Sequence, residues 1–303
     1  MRKILHMSLL TPIRFILRHP LNRDHKISSL VNFLKWQIGS RLVTGAIVHD
    51  WVNGTRFFVK AGETGLTGNI YSGLHEFSDM GFLLHFLRGD DLFVDVGANV
   101  GSYTILACAA VGARGIAFEP VPGTFIRLRE NLHLNHLAEK VHCVNKGVGA
   151  DKGWIHFTTD SDTTNHALAP GEQRMQKVTV EVVSLDEALE GDVPALLKID
   201  VEGYETLVLR GARGLLQSPR LHAVIVELNG SGLRYGFNES EILDSMSGYG
   251  FERCLYDPLS RKLENLVGEK DPVEGNTLFI RNRSYVEERV SSAPKVSLRG
   301  KYF

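Results

Sequence analysis

The chain has 303 residues, 43% hydrophobic and 23% charged, which suits one sizeable globular domain with an extension. Its 34 Lys and Arg balance 35 Asp and Glu, so no overall field draws it to nucleic acid, and nucleic-acid acceptors are disfavoured. No run approaches the ~20 apolar residues of a membrane span, and Cys108, Cys143 and Cys254 lie far apart in apolar runs, as reduced core residues rather than a metal or disulfide set.

In chain order, the N-terminus opens Met1-Arg2-Lys3, and Arg14 and Arg18 interrupt the apolar stretch that follows. No small-residue cleavage site comes after it, so it does not read as a signal peptide, and a cytoplasmic location is expected. Residues 1–41 carry eight Lys and Arg against one acid, Asp24, interleaved with apolar residues at helical spacing. One reading is a helical extension with a solvated basic face; the sharper one is contact with an anionic membrane surface or partner. The spacing predicts helix over 1–44, broken by Pro12 and Pro20, and a hairpin over 46–60 turning at Asn53-Gly54. A Gly-rich stretch, 61–73, precedes an amphipathic helix, 74–88. The expected division is an N-terminal extension, 1–60, a main domain, 61–283, and a polar, basic tail, 284–303, that frays.

Strands and helices then alternate. Strands are expected at 92–96, 115–119, 140–145, 194–200, 221–227, 251–256 and 276–281, with helices at 101–111, 122–136, 203–216 and 238–249. Trp154–Phe157 and Val178–Val183 read as further strands around a polar loop. This is an α/β, Rossmann-like pattern: a mostly parallel seven-stranded sheet, helices on both faces, and an antiparallel last strand making one edge. It is the arrangement of class I methyltransferases. Ligands bind such sheets at the strands' carboxyl ends, where Asp95, Glu119, Asn145, Asp200 and Glu227 fall.

The segment Leu92–Gly101 reads as buried strand, Gly turn and helix start, with glycines spaced G-x-x-x-G at Gly97 and Gly101. Asp95 would repel a pyrophosphate at this turn and favour a cationic ligand such as S-adenosylmethionine. Glu119, 24 residues on, ends the next strand, where a carboxylate can accept both ribose hydroxyls. A dinucleotide-binding oxidoreductase predicts G-x-G-x-x-G and no Asp95, and fails on both counts. A donor-binding scaffold without turnover is the other rival.

In Leu197–Glu205 a strand ends at Asp200 and a helix begins near Gly203. Asp200 and Glu202 fit a helix N-terminus as caps, but Lys198 and Asp200 share a strand face, which is more than capping requires. In the loop 158–176, His166 is the histidine that stands out, and it or Asp200 would serve as base for an alcohol acceptor. Asp160, Asp162, Asp200 and Glu202 have no dedicated metal spacing, and no metal is expected.

Together, D-V-G-A-N-V-G at Asp95–Gly101, F-E-P at Phe118–Pro120, L-R-E-N at Leu128–Asn131, S-L-D at Ser184–Asp186 and K-I-D-V-E-G at Lys198–Gly203 resemble the FkbM-family methyltransferases. Thr67–Tyr71 resembles the segment before that family's core, and the likeness covers about residues 60–282. The resemblance implies a Rossmann-like fold, S-adenosylmethionine as donor, and O-methylation of a saccharide or other small-molecule hydroxyl. It carries Asp95, Gly97, Asn99, Gly101 and Glu119 over as donor contacts, and Asp200 and Glu202 as active-site residues. Pro120 and Asn145, beside Glu119 on the same rim, and Asp200, which could also shape the donor's charged end, complete the expected donor set. An N-methyltransferase acting on nucleic acid would show an Asn/Asp-Pro-Pro-Tyr/Phe strand end where this chain has K-I-D-V-E-G. The acceptor and the oligomeric state are not legible in the sequence.

Overall fold

The computed structural model describes residues 10–60, 64–159, 165–266, 275–298 and 301–303. Helices α1 (Leu10–Arg18) and α2 (Lys26–Leu42) lead into the hairpin β1 (Ile47–Asp50) and β2 (Arg56–Val59), then α3 (Thr64–Ser72) and α4 (Phe77–Phe86). Next come β3 (Leu92–Val96), α5 (Ser102–Ile105, continued as a wider turn to Val111), β4 (Arg114–Phe118), α6 (Pro122–Leu134) and β5 (Val141–Val144). A small sheet follows, β6 (Gly147–Val148), β7 (Gly153–Thr158) and β8 (Lys177–Val183), with β8 central. The rest comprises α7 (Leu185–Ala188), β9 (Leu196–Ile199), α8 (Glu205–Arg210), α9 (Arg213–Gln217), β10 (Ala223–Glu227), α10 (Glu239–Gly248), β11 (Glu252–Asp257) and β12 (Lys262–Asn265). Strand β13 (Asn276–Ile280), α11 (Arg283–Ser291), β14 (Ser297–Leu298) and β15 (Lys301–Tyr302) close the chain.

The main sheet runs β12-β11-β13-β10-β9-β3-β4-β5. The five strands from β10 to β5 are parallel, and β13 is antiparallel to both neighbours, β10 and β11. This is the Rossmann-like α/β sheet expected, with two differences. Strand β13 is not an edge: it inserts between β10 and β11, and an eighth strand, β12, hairpins onto β11 outside it. Burial explains the order. Every residue of β13 is buried, which needs cover on both faces, whereas β12 buries only Leu263 and tolerates an edge.

Side-chain alternation divides the strands between two cores. Phe93, Leu196, Ala223 and Ile225 face one layer with Phe82, Phe86, Val286 and Val290; Val94, Val96, Leu197, Ile199, Val224 and Val226 face the other with Val208, Leu216 and Met246. Ile16, Leu21 and Phe33 from α1, its following turn and α2 join the first core, so residues 10–60 pack as part of the domain. Asn131 of α6 and its C-cap Asn135 clamp the hairpin: Phe58 N–H donates to Asn131 Oδ1 (2.7 Å), and Arg56 N–H to Asn135 Oδ1 (2.8 Å). Asn131, read as part of a motif, thus satisfies backbone at a strand edge.

Three local expectations are corrected. Pro12 lies within α1 without ending it, and of the two prolines Pro20 alone marks a break, opening the short turn between α1 and α2. The Gly-rich stretch contains helix α3; a Cβ at Gly68 would stand 2.5 Å from the His75 ring, so its glycine serves close packing. The described residues of the C-terminal tail pack on the domain: Val286, Val290, Val296, Leu298 and Phe303 are buried, and Arg289 pairs with Asp91. Among the described residues no helix is long and apolar enough to cross a membrane.

Candidate active site

The strand order reverses between β3 and β9, and the register there sets Asp95 beside Lys198. Both side chains point to the same face, and both residues are only 2% exposed. Lys198 Nζ donates to Asp200 Oδ2 at 2.7 Å and stands 4.6 Å from the centre of the Tyr103 ring. Thr104 Oγ1 donates to Asp95 Oδ2 at 2.6 Å, and Tyr103 Oη to Glu76 Oε2 at 2.6 Å. Burial raises the Asp95 carboxyl, with Lys198 and Thr104 opposing. Burial works against the Lys198 ammonium, but Asp200, Glu76 and Asp95 more than offset it and hold that charge firmly.

The turn after β3 is built so that nothing but glycine fits. Gly97 has φ +82°, and a Cβ there would stand 1.8 Å from the Asp200 carbonyl oxygen. Gly97 and Ala98 N–H both donate to Phe118 O, bringing the turn against the end of β4. There Glu119 accepts from Asn99 N–H (3.0 Å) and Val121 N–H (2.9 Å), which fix both carboxylate oxygens. Burial nevertheless pushes its pKa up to about 7.

Beyond β9, Asp200, Glu202 and Glu227 each place a carboxylate oxygen within 4.8 Å of the others. Such a group could hold one hard divalent cation; Asp160 and Asp162, considered with it from the sequence, lie outside the described residues. Burial, then Asp200 and Glu205, push Glu202 up to about 7. Glu227 is raised further by burial and by the same acids, and its Oε2 is buried without a partner. The N-cap position of α8, Tyr204, makes no side-chain cap; Glu205, the helix's first residue, accepts instead from Val201 and Gly203 N–H (3.2 and 3.0 Å) in the turn that leads into it.

One cavity joins these groups. Its walls carry six carboxyls, Glu76, Asp95, Glu119, Asp200, Glu202 and Glu227, against two ammonium groups, Lys146 and Lys198. Gly97, Asn99 and Pro120 line it too. Three residues singled out from the sequence do not. Gly101 shapes the turn, with φ +94° and the Leu128 side chain 2.7 Å from where a Cβ would be. Asn145 Nδ2 donates to Glu119 O and Pro120 O (2.8 and 3.0 Å) and so braces the turn after β4. His166 is buried beside β7, its Nε2 3.3 Å from Glu172 Oε2, and does not line the cavity. Glu76 and Tyr103 were missed: a Glu ahead of α4 carries no periodic signal, although a Tyr two residues past the Gly turn lies one helical step into the site.

Over residues 95–253, more than half of the chain, the sequence matches the model of the Methyltransferase FkbM domain. The chain belongs to the FkbM methyltransferase family. The hexuronic acid methyltransferase AglP of Haloferax volcanii is 34% identical over 150 residues, which cover 48% of this chain and 59% of AglP. The 31-O-demethyl-FK506 methyltransferase FkbM of Streptomyces tacrolimicus is 27% identical over 238 residues, 66% of this chain and 84% of the relative. The chain thus spans about three fifths of AglP. Among solved structures, the C-terminal domain of precorrin-6Y C5,15-methyltransferase from Rhodobacter capsulatus is 18% identical with a TM-score of 0.34, covering 65% of this chain and 82% of that one. The fold of this FkbM-family chain is read from its own strand order.

Proposed function

We propose that this chain transfers a methyl group from S-adenosylmethionine to a hydroxyl of a saccharide or similar small metabolite. One observation carries the reading: the cavity at the sheet's reversal point is walled by carboxyls in excess, with Asp95 at its floor. Such walls favour a ligand bearing sulfonium and ammonium charges and repel a pyrophosphate. Family membership and the hydroxyl-bearing acceptor named for AglP support the same direction.

The donor set fits. Glu119, oriented by two backbone amides, offers its remaining lone pairs to a diol; Asp95 and the Gly97–Asn99 turn offer acceptors and open backbone beside it. When bound, S-adenosylmethionine supplies a methyl group made electrophilic by the sulfonium. The chain's own residues position the acceptor and take its proton. Asp200 is held by Lys198, and Glu202, raised to about 7, is the group poised to accept that proton near neutrality.

The test is transfer of labelled methyl from S-adenosylmethionine to a panel of hydroxylated acceptors, uronic acids and their glycosides first. Label in an ether linkage supports the reading. Label only in an N-methyl product, or donor binding with no transfer to any acceptor, contradicts it.

A further inference from the structure

Helix α2 has two apolar faces. Phe33 is buried with Ser29 and Ser40 on the side that meets the domain. On the opposite side, Ile27, Val31, Leu34, Ile38 and Leu42 are 80, 42, 55, 62 and 79% exposed. Their spacing puts all five within an arc of roughly 80° along the whole helix. Val43, the residue just past the helix end, is 50% exposed as well. A contiguous stripe of this kind is unusual on a monomer's surface and marks a contact.

Charge identifies the contact. Lys35 and Arg41 flank the stripe on either side, and both are exposed. Lys26, Arg23, Arg18 and Arg14 are exposed as well, and Asp24 is the only acid between residues 10 and 46. A second copy meeting the same face would set these cations against each other, since α2 contains no carboxylate. A bilayer surface with anionic headgroups takes both features at once: aliphatic side chains enter the headgroup boundary, and the cations meet phosphate and carboxylate.

We propose that the outward face of α2 docks this protein on an anionic membrane surface. The contact is peripheral and reversible, and it is independent of the reading of the active site.

Because α1 and α2 contribute Ile16 and Phe33 to the core, deleting them would confound binding with unfolding. Exposed-face variants avoid this. The intact chain should sediment with phosphatidylcholine vesicles containing phosphatidylserine and remain in the supernatant with phosphatidylcholine alone. Leu34→Ser/Ile38→Ser should weaken binding at least about tenfold. Lys35→Glu/Arg41→Glu should weaken it by about fivefold or more for each cation lost. Both variants should keep the parent circular dichroism and melting temperature. Failure of the intact chain to sediment with the anionic vesicles overturns the proposal, as does full binding by either variant. So does a dimer in analytical ultracentrifugation that Leu34→Ser/Ile38→Ser dissociates, with no vesicle binding.

Discussion

Asp200 and Glu202 lie two residues apart and are set to different tasks by what stands beside them. Lys198 Nζ, 2.7 Å away, keeps Asp200 paired, whereas Glu202 faces Asp200, Glu205 and a largely desolvated wall that raise it to about 7. A carboxyl raised this way is protonated below neutrality and becomes a competent base above it. Turnover should therefore rise with pH through about 7, and Glu202→Gln should lower it ~10²–10⁴-fold and remove that limb. A pH–rate profile measures this. An unchanged limb in Glu202→Gln would move the proton acceptor elsewhere on the rim, with Glu227 the next candidate.

At the scale of elements, the site is a consequence of two turns that only particular backbones can make. Gly97 has φ +82° and lies against the Asp200 carbonyl, so the β3 and β9 turns are pressed together. Gly97→Ala should cost ~3 kcal/mol or more through strain and overlap, read as a fall in melting temperature; a near-native value would show that the turns have room to part. The turn at Asp95–Gly101, its carboxylate, Glu119 and the Lys198–Asp200 pair were legible in the sequence, because strand alternation and strand ends fix both face and rim. Glu76 and Tyr103 were not, since one reaches the rim from the N-cap of α4 and the other from α5, and the approach of both helices depends on tertiary packing. His166 was misplaced because a polar loop in sequence gives no sign that β7 and Glu172 will draw one of its residues inward. Strand β13 was recognised, but its place between β10 and β11 was not, because pairing order is a property of the sheet and not of the strand.

At the scale of the whole molecule, the described residues after β13 belong to the fold. A chain ending at residue 282 would expose the partners of Val286, Val290, Val296, Leu298 and Phe303. That loss is roughly 10 kcal/mol, comparable with a domain's entire net stability. Such a truncation should be insoluble or unfolded by circular dichroism; a cooperative melt would mean that the segment is dispensable. The acid-walled cavity also shapes stability. Burial raises Glu119, Glu202 and Glu205 to about 7 and Glu227 beyond that, so between their ordinary range and neutrality the folded chain holds protons that the unfolded chain releases. Stability then falls as pH rises through that window, and the ligand-free protein should melt higher at about pH 6 than at about pH 8. The opposite order would show that these carboxyls are ionised in the folded chain without penalty.

The central claim is that the carboxyl-lined cavity at the β3–β9 reversal is a site for a cationic methyl donor. Calorimetric titration with S-adenosylhomocysteine, which keeps the donor's ammonium group and ribose, tests it directly, with NAD as the control and Asp95→Asn as the variant. The account predicts binding of S-adenosylhomocysteine by the parent chain, no binding of NAD, and an affinity about tenfold lower or worse in Asp95→Asn. Binding of NAD, or an unchanged affinity in Asp95→Asn, would contradict it.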